Sequence, residues 1–195
     1  MPTDFDPAKT VLVDMDGVLA NFDRSVLTGI AQHTGVVDRR NFYIAKDYPD
    51  HEEHVRAIME HPEFFYTLEP IDGALEGWAK LLELGYAPRI CSAPLQMNPK
   101  SREGKLAWLA EHLAPTFGNQ VVDSAIIDKA KFAYAGVALI DDRPEVDTNN
   151  GAAAWKHIVF DHPYNRESTA PLRLLGWRDI NLADLLATAA SQPPL

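Results

Sequence analysis

Four aspartates stand in two tight groups far apart in the chain: Asp14 and Asp16 in VLVDMDGVLANF, and Asp141 and Asp142 in VALIDDRPE. Each group closes a short apolar run, so each falls where a buried strand gives out. Carboxylates gathered at one sheet edge repel one another and titrate abnormally unless a cation sits among them. Oxygen ligands with few nitrogen or sulfur partners suit Mg²⁺, a hard ion that keeps several waters and commonly holds phosphate oxygens. A lone aspartate after a strand is ordinarily a turn or a helix cap. Asp-x-Asp-Gly after one strand together with Asp-Asp after another is far more specific, and it predicts a metal-assisted site.

Such a site needs strands whose carboxyl ends share an edge. TVLVD (10–14), APRICS (87–92), VALID (137–141) and HIVFD (157–161) are short apolar runs bounded by polar or turn residues. They lack the alternation of a half-solvated strand, which predicts parallel strands buried on both faces. Amphipathic helical patterns lie between them. GALEGWAKLLELG places Leu75, Trp78, Leu81 and Leu82 on one face with Gly85 as a C-terminal cap, and EGKLAWLAEHL places Leu106, Leu109 and Leu113 likewise. Alternating strands and helices predict an α/β fold, a doubly wound parallel sheet with right-handed crossovers. Residues 24–70 break the rhythm: they carry helical patterns over 25–33 and 52–60 but no convincing strand. They predict a small helical cap inserted after the first strand, with the core in 1–22 and 72–195 and the cap in 23–71.

The totals restrict the function. The formal charge of −10 argues against sequence-independent binding of nucleic acid polymers or anionic lipid. A single cysteine, Cys91, excludes an intrachain disulfide and suits a reducing compartment. The first ten residues are acidic without an apolar stretch, which does not read as a signal peptide, and no apolar run approaches the roughly 20 residues of a membrane span. A cytoplasmic protein without membrane association is expected, and the tail SQPPL is expected to fray.

DMDGVLANF resembles the first motif of the haloacid dehalogenase-like phosphohydrolases, Asp-x-Asp-Gly-[Thr/Val]. The resemblance implies a Rossmann-like, haloacid dehalogenase-like core in which Asp14 attacks phosphorus and forms an aspartyl-phosphate. Asp16 would protonate the leaving oxygen and then activate the hydrolytic water. Ser92, in RICSAP, falls at the second motif as a donor to a phosphate oxygen. Asp141 and Asp142 fall at the fourth, completing a Mg²⁺ site with Asp14 and the carbonyl of Asp16. The third motif is a lysine before that acidic pair. Lys129 fits the pattern better and Lys131 is the alternative, while Lys105 reads as a solvated helix residue.

HPEFFYTLEPIDGALEGWAKL (61–81) resembles the stretch before the second motif in the 5′(3′)-deoxyribonucleotidases. NFYIAKDYP (41–49) resembles their base-pocket segment, and Phe22, eight residues after Asp14, matches a substrate-facing aromatic. The resemblance covers about residues 10–165 and implies a nucleoside monophosphate bound by Asp16, Phe22, Phe42, Tyr43, Ile44, Ser92, Ala93 and Lys129. A nucleobase stacked on an aromatic ring gains about 1–3 kcal/mol. Phe64, Phe65 and Tyr66 are instead expected to form the core of the insertion. The sequence departs from the pattern at Ala93, where a serine is usual, at Tyr43 for tryptophan, and at Gln96 for lysine. Base and sugar preference therefore stay open. So do a homodimer, a different small phosphate ester as substrate, and a non-catalytic nucleotide-binding role. His51 and His54, in HEEH, have a metal-ligand spacing, but no third ligand is evident from sequence and a solvated helix face is the expectation.

Overall fold

A computed structural model describes residues 5–35, 38–149 and 151–191; the expected fraying tail, 192–195, lies outside them. Six parallel strands form one sheet in the order β3-β2-β1-β4-β5-β6. They are β1 (Thr10–Val13), β2 (Ala87–Ser92), β3 (Ile126–Ile127), β4 (Ala138–Asp141), β5 (Lys156–Phe160) and β6 (Leu172–Leu174). The four expected strands form within a residue of their expected ends. β3 and β6 were not expected, because runs of two or three residues give no periodicity to read. The helices are α1 (Phe22–Thr34), α2 (Glu52–Glu60), α3 (Ala74–Glu83), α4 (Ser101–His112), α5 (Ala114–Phe117), α6 (Gln120–Asp123) and α7 (Leu182–Ser191).

The pleat explains why β1 reads as continuously apolar. Val11 and Val13 enter the larger apolar cluster with Ile90, Ile140 and Phe160, while Leu12 enters a second one with Cys91, Leu139 and Trp155. Both faces of the strand are covered, so Val11 to Val13 are all apolar, and the buried Thr10 at its start is satisfied by donating to the Asp6 carbonyl. The order reverses between β1 and β4, whose register pairs Val13 with Ile140. Their carboxyl ends therefore carry Asp14 and Asp141 side by side, at the crevice where open α/β sheets bind ligands.

Two helical faces differ from expectation. Leu82 is 45% exposed, and α3 instead buries Ala74, Gly77, Trp78 and Leu81. The face turns toward Gly77 because Trp177 seats there: a Cβ at Gly77 would lie 2.1 Å from the Trp177 ring. On α4 the buried side is Ser101, Gly104, Lys105, Trp108 and Leu109, so Lys105 is interior, not solvated.

Among the described residues, those between β1 and α3 add no strand. They form α1, two 3-10 turns at Ile44–Asp47 and Pro49–His51, α2, and a third 3-10 turn at Phe64–Tyr66. α1 begins at an Asn21 cap whose side-chain oxygen accepts the Arg24 N–H. Phe64 and Phe65 are buried, as expected, and their apolar cluster is continuous with that of the sheet. The segment leaves and returns at one point. Asn21 N–H donates to the Glu69 carbonyl and Ile71 N–H to the Leu19 carbonyl, both at 2.7 Å, with Ala20 bridged to Pro70.

Candidate active site

Asp14 follows β1 directly, and its N–H donates to the Ile140 carbonyl at 2.9 Å. One carboxylate oxygen accepts the Met15 N–H at 2.8 Å and the other faces Lys131 Nζ at 3.0 Å. Lys131 also donates to Asp141 at 2.5 Å. Lys131, not Lys129, is thus the lysine that reaches Asp14 and Asp141. Lys129 is exposed on the rim of the neighbouring cleft. The reason is local: Asp128 accepts the Ala130 N–H and the Tyr134 hydroxyl, and a 3-10 turn over Lys131–Ala133 then aims Lys131 inward. Burial lowers the Lys131 pKa, but the charges of Asp14 and Asp141 outweigh it and hold the ammonium above its ordinary value.

Asp16 lies two residues on, past the turn. Its Oδ2 accepts from Lys105 Nζ at 2.8 Å, and the same ammonium donates to Ser92 Oγ at 2.7 Å and the Ala93 carbonyl at 2.8 Å. Three oxygens replace water around a fully buried cation. Among the described residues, Asp16 Oδ1 is the buried side-chain oxygen that no donor reaches. Burial raises the Asp16 pKa, Lys105 opposes that rise, and the charge of Asp14 adds to it; the net shift is upward.

Asp14, Asp141 and Asp142 bring ligand oxygens within 4.8 Å of one another. Burial also raises Asp141, but the charges of Lys131 and His157 overcome it and leave that carboxyl below its usual range. Asp142 has no paired ammonium: burial and then the charges of Asp141 and Asp14 push it up to about 8, against the Tyr164 hydroxyl bond and the charge of Arg39. With all four aspartates ionised, two ammonium groups leave an excess of two negative charges, which a divalent cation balances. The donor set therefore fits a hard divalent metal. Gly17 makes room for the cluster. Its φ of +72° and the 2.4 Å that would separate a Cβ from Asp142 Oδ2 both demand glycine.

A cleft of about 460 Å³ opens beside Lys131, lined by Tyr43, Ala93, Gln96, Lys129 and Arg143 among others. Tyr43 is 61% exposed at its edge. Phe42 packs edge-on against Tyr43 and Tyr164, with the Arg143 guanidinium 5.0 Å from its ring centre. Phe22 packs edge-on against Phe64, and Ile44 is buried in the main apolar cluster instead of on the cleft. A larger recess of about 780 Å³ lies between α1 and α2 and touches none of the four aspartates.

Several residues at the site carry no sequence signal. Arg39 is paired with Asp23, donates to the Phe42 carbonyl and lies 3.8 Å over the Tyr164 ring, tying the inserted segment to the core. His162 stacks on Tyr164 and its Nε2 is 2.6 Å from the Gly17 carbonyl. Lys105 could have been found, because 101, 104, 105, 108 and 109 follow the helical spacing of one buried stripe.

This sheet order and carboxylate crevice define a haloacid dehalogenase-like hydrolase fold. A HAD-family hydrolase structure from Deinococcus radiodurans, with bound phosphate and sodium, superposes with a TM-score of 0.55 at 17% identity, covering 97% of this chain and 99% of that one. Residues 8–191 match the family model for the 5′ nucleotidase, deoxy (pyrimidine), cytosolic type C protein, and the chain belongs to that family. A provisionally named 5′(3′)-deoxyribonucleotidase of Bordetella bronchiseptica is 34% identical, over 92% of this chain and 99% of its own. The human 5′(3′)-deoxyribonucleotidase, cytosolic type, is 35% identical, over 87% and 89% respectively. The protein is accordingly a phosphoric monoester hydrolase of the nucleotidase type. Among the described residues no helix is long and apolar enough to cross a membrane.

Proposed function

We propose that the protein is a Mg²⁺-dependent phosphatase of deoxyribonucleoside monophosphates acting through an aspartyl-phosphate on Asp14. The observation that carries this reading is the partnerless Asp16 Oδ1 beside a nucleophile fixed by Met15 N–H and Lys131. Lys105 holds Oδ2, so a proton on Asp16 resides on Oδ1 and passes to the departing nucleoside oxygen. Deprotonated, the same atom takes the proton of the water that cleaves the acyl phosphate. Lys131 has a third N–H beyond those facing Asp14 and Asp141, and it serves a phosphoryl oxygen. Ser92 Oγ already accepts from Lys105, which leaves its own proton to donate to phosphate with the Ala93 backbone amide. Asp14, Asp141, Asp142 and the Asp16 carbonyl would hold Mg²⁺, which supplies charge neutralisation when bound.

Tyr43 and Phe42 offer ring faces to the base, and Phe22, packed on Phe64, is the third aromatic assigned to it. Residues 23–71 act as a cap over a core formed by 1–22 and 72–195, and cap closure excludes water. The test is phosphate release from a panel of nucleoside monophosphates and sugar phosphates, with and without Mg²⁺. Release from deoxynucleotides that requires Mg²⁺ and is abolished by Asp14→Asn is expected. Turnover of sugar phosphates alone overturns the nucleotide reading, and full activity of Asp14→Asn overturns the mechanism.

A further inference from the structure

The HEEH segment acquires in three dimensions the partner it lacks in sequence. His33, in the last turn of α1, lies with its ring centre 4.3 Å from that of His54 and 6.2 Å from that of His51, and the latter two are 5.9 Å apart. His51 precedes the first turn of α2 and His54 sits within it. Three of the chain's seven histidines thus meet where the end of one helix passes the start of another. The cluster belongs to the inserted segment. His33 and His54 line the recess between α1 and α2, which contains none of the catalytic aspartates.

Three imidazoles sharing one tetrahedral metal, with metal–nitrogen bonds of about 2.0–2.1 Å, hold their ring centres about 5.2 Å apart. The observed separations bracket that value. The nitrogens do not yet converge: among the described residues, only the aspartate cluster brings three ligand atoms within 4.8 Å. His33 and His54 are exposed and His51 is half-buried, so other rotamers are open to all three rings. Glu52 and Glu53, in the first turn of α2, supply negative charge next to the rings.

We propose that His33, His51 and His54 form a site for a nitrogen-seeking divalent transition metal of the Zn²⁺ class. Its fourth position is filled by water, and it clasps α1 to α2. Imidazole donors discriminate against Mg²⁺, so this site and the aspartate cluster select different ions.

The test is calorimetric titration of the full-length enzyme with Zn²⁺ in saturating Mg²⁺, repeated for His33→Ala, His54→Ala and the triple alanine variant. Co²⁺ serves as an optical probe of tetrahedral nitrogen ligation. One Zn²⁺ event is expected that the triple variant lacks and that His33→Ala weakens by about tenfold or more. Unchanged affinity in His33→Ala would show that the helical pair acts alone, and this overturns the proposal. So does a Zn²⁺ stoichiometry that is the same in the wild type and the triple variant. None of the three side chains is buried, and a thermal melt of each variant checks that it folds as the wild type does.

Discussion

Replacing Lys105 by methionine keeps the length and apolar stem of a fully buried side chain and removes only its charge. The ammonium serves Asp16, Ser92 and Ala93 at 2.7–2.8 Å, and the side chain has no exposure to solvent. Removing one partner of a buried ion pair costs about 3–5 kcal/mol when the remaining charge is stranded. Asp16 has an escape, because it can take up a proton. Protonating a carboxyl of ordinary pKa at pH 7 costs about 4 kcal/mol, and Asp16 already sits above that pKa, so the loss at pH 7 should stay below about 4 kcal/mol. Its pH dependence is the distinguishing feature. A carboxyl with a raised folded pKa contributes stability that is fully present below its unfolded pKa and lost as pH rises through the folded value. Lys105→Met raises Asp16 further. The stability gap between wild type and variant therefore widens with pH, by up to about 1.4 kcal/mol per unit, between the two folded pKa values. Urea unfolding in chelator from pH 5 to 8 measures it. In an Asp16→Asn background the same substitution should cost at least about 1 kcal/mol less. A gap that stays flat across this range, or strict additivity of the two changes, would refute the assignment of Lys105 as the counter-charge of Asp16.

Three further outcomes are expected. Lys131→Met should remove nearly all turnover while Lys129→Met keeps kcat within about tenfold, since only Lys131 touches the nucleophile; equal losses in steady-state assays would contradict the geometry. Asp142, held at about 8 without metal, must lose its proton to ligate. Mg²⁺ binding near pH 7 should therefore release protons and weaken as pH falls below 8, seen by calorimetry in buffers of different ionisation heat. Gly17→Ala forces a Cβ onto Asp142 at a positive φ and should cost at least about 2 kcal/mol in thermal denaturation as well as activity.

What the sequence disclosed followed from period and chemistry. β1, β2, β4 and β5 were legible because burial on both faces leaves long enough apolar runs, and α2 matched its expected bounds because its apolar stripe is regular. The aspartates were legible because paired carboxylates after a strand have few structural uses. The motif pattern favours Lys129 over Lys131, and it misleads because a single 3-10 turn, invisible in spacing, points Lys131 inward. Lys105 was misread because a lysine on a helix is ordinarily solvated, and the three oxygens that satisfy it come from two other segments. Arg39, Tyr164 and His162 meet only through tertiary packing, as does the approach of His33 to HEEH.

The paired crossing at Leu19–Asn21 and Glu69–Ile71 makes the inserted segment a detour whose two ends are already joined. To the sheet it is a hairpin stalk, and chain closure beyond the stalk depends only weakly on its length. Selection can therefore lengthen, shorten or rewrite residues 22–69 while Asp14 and Asp16 stay anchored on β1. A replacement must restore the apolar contacts with the core, the Arg39 contact with Tyr164, and acceptors such as the Leu68 carbonyl for the Trp108 indole N–H and the Met59 and His61 carbonyls for the Asn98 amide. If this segment sets recognition, as proposed, substrate preference can thus be rewritten while the aspartates keep their geometry.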